Sequence, residues 1–145
     1  MHLEQVRRNL NNQLYIASMR PVFNRKALYS ATTADYVSPM EPDPFEEITI
    51  RFRTGKNNVD RVFLMSSGKA YLMTKVETDE SFDYYAYTLT LGEEKLAYYF
   101  EVETGRVTMR YDVRGLVRET NEYYNFVIIP GFKTPKWAKG AVMYQ

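Results

Sequence analysis

The sequence contains no cysteine. That removes disulfide staples, thiolate nucleophiles, cysteine zinc sites and iron–sulfur ligation at once. Histidine is nearly absent as well. The single imidazole, His2, cannot by itself assemble a metal centre or a nucleophile–base triad. Charge of one sign is also missing: 19 basic and 18 acidic residues leave a formal net charge of +1. Nucleic acid and anionic membrane surfaces call for a broad cationic field, so neither is an expected partner. No apolar run approaches the roughly 20 residues that cross a bilayer. Residues 1–12 hold no continuous apolar stretch of the kind a secretory signal needs, which favours the cytoplasm and leaves secretion open only if a signal has been trimmed. No cofactor or metal is expected.

What the sequence does have is aromatic side chains, with 13 Tyr, 8 Phe and 1 Trp among 145 residues. Hydrophobic residues at 45% are enough for the core of one domain. The six prolines and the glycines at 55, 68, 92 and 105 fall between periodic segments. Inside those segments the apolar residues alternate. Ile48, Ile50 and Phe52 take turns with Thr49, Arg51 and Arg53; Leu96, Tyr98, Phe100 and Val102 with Lys95, Ala97, Tyr99 and Glu101; Val107, Met109 and Tyr111 with Thr108 and Arg110. Period two marks strands with one buried and one wet face. Further strands are expected near 61–66, 70–76, 82–91 and 125–129. Many short strands at near-regular spacing point to an all-β fold, an antiparallel two-sheet immunoglobulin-like β-sandwich. Residues 1–24 read as an N-terminal extension, where Leu3, Val6, Leu10 and Leu14 are spaced as in a short amphipathic helix. Residues 25–130 form the sandwich.

Acidic residues at 43, 46, 47, 79, 80, 83, 93 and 94 lie in or beside polar turns, where nothing raises a carboxyl pKa for acid catalysis. No catalytic residue is assigned, and the chain by itself is read as non-enzymatic. The tyrosines carry the site hypothesis. Tyr-Tyr occurs at 84–85, 98–99 and 123–124, and strand neighbours point to opposite faces. Alternation turns Tyr84 and Tyr99 outward, with Ala86 and Ala97 leaving their rings accessible. If 82–91 and 95–103 form a hairpin closed at Gly92-Glu93-Glu94, the two rings share one outer face. Such a face suits the C–H-rich side of a sugar ring, with Arg53, Lys56, Asn57 and Asn58 as polar partners. Cross-strand pairing and packing against a further domain remain open for the same rings. Met65, Met73 and Met109 follow the alternation and are expected in the core.

The run Pro135-Lys136-Trp137-Ala138-Lys139-Gly140-Ala141-Val142-Met143-Tyr144-Gln145 resembles the junction between N-terminal domain and catalytic barrel in neopullulanases, cyclomaltodextrinases and maltogenic amylases. Ile50-Arg51-Phe52-Arg53-Thr54, Phe82-Asp83-Tyr84-Tyr85, Leu96-Ala97-Tyr98-Tyr99-Phe100 and Arg114-Gly115 are similar to further landmarks of that family, in matching order. The resemblance implies an N-terminal carbohydrate-binding domain of the family-34 type, attached to a family-13 glycoside hydrolase. Residues 131–145 are then the linker and the start of a barrel whose catalytic carboxylates lie outside this chain, with Trp137 as an interdomain anchor. The implied partners are an α-glucan (starch, pullulan or maltooligosaccharide), the catalytic barrel, and a second subunit if the domain packs over that subunit's cleft. Three function readings remain: glucan binding, with dimer assembly close behind it, and a structural spacer with neither role.

Overall fold

The computed structural model describes residues 23–133. Ten strands follow a 3₁₀ turn at Arg25–Ala27: β1 (Val37–Ser38), β2 (Glu47–Gly55), β3 (Arg61–Ser66), β4 (Lys69–Leu72), β5 (Thr74–Thr78), β6 (Phe82–Thr90), β7 (Leu96–Thr104), β8 (Val107–Asp112), β9 (Gly115–Val117) and β10 (Phe126–Ile128). A second 3₁₀ turn, Glu122–Tyr124, precedes β10. The strands form two antiparallel sheets, one ordered β1-β2-β6-β5 and the other β4-β3-β7-β8-β9, with β10 also pairing to β7. The β-sandwich expected from periodicity is the observed fold.

The core lies between the sheets and is built by the alternation. β2 contributes Ile48, Ile50 and Phe52; β3 contributes Val62 and Leu64; β7 contributes Tyr98, Phe100 and Val102. Phe52 crosses the gap to Phe100 and Tyr111, with ring centroids 4.6 and 5.2 Å away. Phe126 of β10 closes the other side, stacked on Tyr98 at 5.4 Å. Each fully buried Phe of this kind contributes about 1.5–3 kcal/mol of hydrophobic stabilisation. At the β3–β4 turn, Ser67 (φ 53°) and Gly68 (φ 75°) are both left-handed, the backbone that a two-residue hairpin loop demands.

Three sequence expectations need correction. Residues 70–76 are not one strand: the chain leaves the larger sheet after Leu72 and joins the smaller one at Thr74. Met73 makes that crossing with its side chain buried and its amide donating to the Val62 carbonyl at 2.8 Å. Residues 82–91 and 95–103 form no hairpin. β6 pairs with β2 and β5, whereas β7 pairs with β3, β8 and β10, so Gly92-Glu93-Glu94 bridges the two sheets. Leu91 drives this step, because its side chain is buried and its amide donates to the Glu46 carbonyl at 2.9 Å, holding the chain on the inner side. Of the three methionines placed in the core, only Met73 is buried; Met65 and Met109 are half-buried.

Asn58 is a buried polar group whose Oδ1 accepts the Asn24 amide at 2.8 Å. A Cβ on Gly55 would stand 2.3 Å from that oxygen. Gly55→Ala is expected to lower stability by about 1–3 kcal/mol in urea unfolding. Gly92→Ala, whose Cβ meets nothing within 4 Å, is expected to change it by less than about 0.5 kcal/mol.

Candidate functional site

The outer face of the smaller sheet is an interleaved layer of aromatic rings and arginines. Period two on β2 points Thr49, Arg51 and Arg53 outward, and register sets Arg53 opposite Tyr84, Arg51 opposite Ala86 and Thr49 opposite Thr88. Tyr29 bridges to Arg53 on the far side, and Glu77 of β5 pairs with Tyr84. The Arg51 guanidinium stacks on the Tyr84 ring, 5.1 Å from its centroid, and donates to Glu77 Oε1 at 2.8 Å. Arg53 lies 4.2 Å over Phe82 and 5.4 Å from Tyr29, while its Nε donates to the Ala27 carbonyl at 2.9 Å. The Thr49 and Thr88 hydroxyls meet at 2.8 Å.

Beside this layer, the loop before β1 raises a wall. Tyr36 offers its carbonyl to the Arg51 amide at 2.9 Å, and its ring lies edge-on to Tyr29 at 5.1 Å. The result is an open groove of about 460 Å³, lined by Asp35, Tyr36, Thr49, Arg51, Glu77 and Tyr84 among others. Partial burial pushes the Tyr36 and Tyr84 hydroxyls up in pKa, and for Tyr84 the nearby Asp79 carboxylate adds to the effect. Both phenols therefore stay neutral near pH 7; the Tyr84 hydroxyl donates to Asp79 Oδ2 at 3.4 Å and keeps lone pairs free to accept. Oppositely charged Arg51 and Glu77, set between neutral phenols, make a polar site rather than an apolar one. Among the described residues no cluster of three or more His, Cys, Asp or Glu is arranged to hold a metal ion.

The structure separates the residues singled out from sequence. Tyr84 points outward into this groove. Tyr99 also points outward, but on the other sheet, where register places it opposite Met65; the two rings therefore do not share a face. Arg53 shares the face of Tyr84, yet its guanidinium is committed to Phe82 and Ala27. Lys56 and Asn57 are exposed in the turn after β2, at the end of the sandwich. Asn58 is buried there, with its side-chain oxygen already engaged. Trp137 and the short helix expected on Leu3, Val6, Leu10 and Leu14 lie outside the described residues. Tyr36, Arg51 and Glu77 were not singled out from sequence. Arg51 alone carried a signal, being on the outward side two residues before Arg53. Glu77 reaches Arg51 only through the β5–β6 pairing, which has a register shift between Lys75 and Glu77.

Residues 23–130 match the family described as "Alpha amylase, N-terminal ig-like domain". The chain belongs to that family. It is 26% identical over 137 residues to a cyclomaltodextrinase of Thermoanaerobacter pseudethanolicus, covering 83% of this chain and 23% of the relative. Two solved structures share its fold. One is a cyclomaltodextrinase (TM-score 0.61, 22% identity, 79% of this chain and 22% of that one). The other is a maltogenic amylase from S. marinus (TM-score 0.60, 15% identity, 81% and 16%). This chain spans less than a quarter of their length. The family-34 label rests on the sequence resemblance alone.

The family-like Arg114-Gly115 pair has a structural role in this amylase-type Ig-like domain. Arg114 grips the fully buried Asp112 carboxylate in two-pronged fashion, at 3.2 and 2.7 Å, across the β8–β9 turn. Gly115 takes a φ of 97°, accessible to glycine at little cost. The family-like Phe-Asp-Tyr-Tyr start of β6 contains a second buried carboxylate, Asp83, which corrects the expectation that all the turn carboxylates are solvated. Asp83 is 2% exposed. Burial alone would raise its pKa, but the Thr78 hydroxyl (2.6 Å), the Asn57 amide (3.0 Å) and the Lys75 ammonium (3.2 Å) together hold it below the ordinary carboxylate value. The unfolded chain therefore takes up this proton more readily than the folded one. Stability from Asp83 is complete above about pH 4 and is lost as pH falls through the lower folded pKa. Asp83→Asn is expected to cost about 2–3 kcal/mol at pH 7 and to flatten the acid limb of the stability–pH curve below about pH 4. An acid limb unchanged in the variant would contradict this.

Proposed function

We propose that the domain is the non-catalytic α-glucan-holding part of an α-amylase-family glycoside hydrolase, and that the groove between Tyr36 and Tyr84 is where it holds the chain. The observation that carries this is the Arg51–Glu77 pair set between two neutral tyrosines. Neighbouring glucose hydroxyls accept from a guanidinium and donate to a carboxylate in the same plane, while the C–H face of the ring packs on aromatic carbon. Arg51 and Glu77 side chains keep 31% and 58% exposure, so both are reachable without unfolding any contact of the core. Relatives named cyclomaltodextrinase and maltogenic amylase support the α-glucan class. Holding a polymer next to a catalytic barrel raises its local concentration, which needs no tight binding by the domain alone.

A second reading, the interaction module, is favoured by the larger sheet. Its outer face sets Phe63 beside Leu72, and Met65 between Ala70 and Tyr99. Leu72 is 54% exposed. This apolar strip, bordered by Glu101 opposite Phe63 and by Arg61 over the Phe63 ring, suits packing against another domain or a second subunit.

Native electrophoresis of the 145-residue chain through gels containing amylopectin is expected to show retardation. Tyr84→Ala and Arg51→Ala are each expected to weaken it by about tenfold in affinity, and Tyr99→Ala to leave it unchanged. Equal retardation in all variants would remove the groove from the account, and hydrolysis by the purified chain would contradict its non-catalytic role.

A further inference from the structure

Two segments meet at the end of the sandwich where β2 begins: residues 40–46, which lead into β2, and residues 129–133, which follow β10. The Gly131 amide donates to the Pro42 carbonyl at 2.8 Å. The Lys133 ammonium reaches Asp43 Oδ1 at 3.1 Å and donates to the Glu41 carbonyl. Pro42 and Pro130 are buried and pin both segments to the body of the domain. The rim they form still presents four large apolar side chains to water. Met40, Phe45, Ile129 and Phe132 each keep half or more of their surface exposed. Such residues scattered singly are ordinary, but four on two joined segments make a patch.

Phe45 is also strained. Its backbone is left-handed (φ 65°), a conformation that a bulky side chain adopts only under constraint. The constraint is a local turn: the Asp43 amide donates to Glu46 Oε1 at 2.8 Å and the Glu46 amide to the Asp43 carbonyl at 3.2 Å. Glycine at this position would relieve the backbone and remove the exposed ring together.

The stretch of chain after Lys133 suits this rim in reach, charge and chemistry. Trp137 is four residues on, at most about 14 Å away along an extended chain, whereas β2 carries the opposite end of the sandwich roughly 26 Å off. Residues 133–145 contain Lys133, Lys136 and Lys139 and no acidic residue, while residues 41–47 contain Glu41, Asp43, Glu46 and Glu47. The Lys133–Asp43 pair is already a contact of that kind. Trp137, Val142, Met143 and Tyr144 supply apolar surface that gains by leaving water.

We propose that the rim is the docking surface for the chain's own continuation, residues 134–145, with Trp137 seated against Phe45 and Phe132 and with Lys136 and Lys139 facing the carboxylates. The segment that leaves the domain is thereby laid back on its exit end, which sets the direction in which anything attached after it departs. The proposal is independent of where, or whether, the domain holds glucan.

Trp137 is the sole tryptophan, so its fluorescence in the 145-residue chain reads the contact directly. Its emission is expected to lie to the blue of the urea-unfolded chain, shielded from acrylamide, at every protein concentration. Phe45→Gly and Phe132→Ser are each expected to shift the emission to the red and remove the shielding. Both side chains are exposed, so far-UV circular dichroism is expected to be unchanged in the two variants. Leu72→Ser, on the outer face of the larger sheet, is expected to leave the emission as it is. Wild-type emission at the unfolded position would overturn the proposal. Blue emission that survives both rim variants, or that is lost in Leu72→Ser, would overturn the placement. A blue shift that grows with protein concentration would assign the rim to a second copy and contradict docking within one chain.

Discussion

Phe52 meeting Phe100 and Tyr111 across the gap between the sheets is the contact on which the rest of the molecule depends. It ties the central strand β2 of one sheet to β7 and β8 of the other, and Phe126 and Tyr98 extend the ring cluster to β10. Once those even-numbered positions of β2 and β7 are committed to the interior, period two leaves no freedom for their neighbours. Arg51 and Arg53 must face water on one side of the sandwich, and Tyr99 on the other. The make-up of the two outer faces thus follows from how the core is filled. A one-residue slip of β2 would bury the arginines and expose Phe52.

The inside–outside pattern was legible on β2 and β7, which carry nine residues each, long enough for alternation to show, whereas on β6 the inward position of Asp83 was read as solvated. Which strand neighbours which was not legible. Gly92-Glu93-Glu94 reads as a hairpin turn and serves as a bridge between sheets, because alternation records which face is wet and is silent about the partner strand. The break at Met73 carries neither Gly nor Pro, so its signal is the burial of one methionine and one amide bond to Val62. Asn57 and Asn58 look alike in sequence. The left-handed turn at Asn57 (φ 56°) leaves one in water and turns the other into the core. Tyr123-Tyr124 was read with the strand pairs, yet lies in a capped 3₁₀ turn where both rings stay exposed.

Arginine has two different roles on this one face. Arg53 is absorbed by the fold: its guanidinium covers Phe82 and its Nε satisfies the Ala27 carbonyl. Arg51, two residues earlier, reaches an exposed carboxylate and borders open space. Both are outward on the same strand, and nothing in the local sequence tells them apart. What separates them is the loop carrying Tyr29 and Tyr36, whose position follows from long-range pairing with β2. The resemblance to amylase-type enzymes supplied the family and the ligand class proposed for it, whereas the placement of each side chain had to come from the sheet registers.

The central claim is that α-glucan is held on the outer face of the smaller sheet by Tyr36, Arg51, Glu77 and Tyr84. A crystal structure of the chain grown with maltoheptaose tests it most directly. The account predicts glucose rings in that groove, with adjacent hydroxyls on the Arg51 guanidinium and the Glu77 carboxylate. Sugar bound elsewhere with this groove holding only solvent would contradict it.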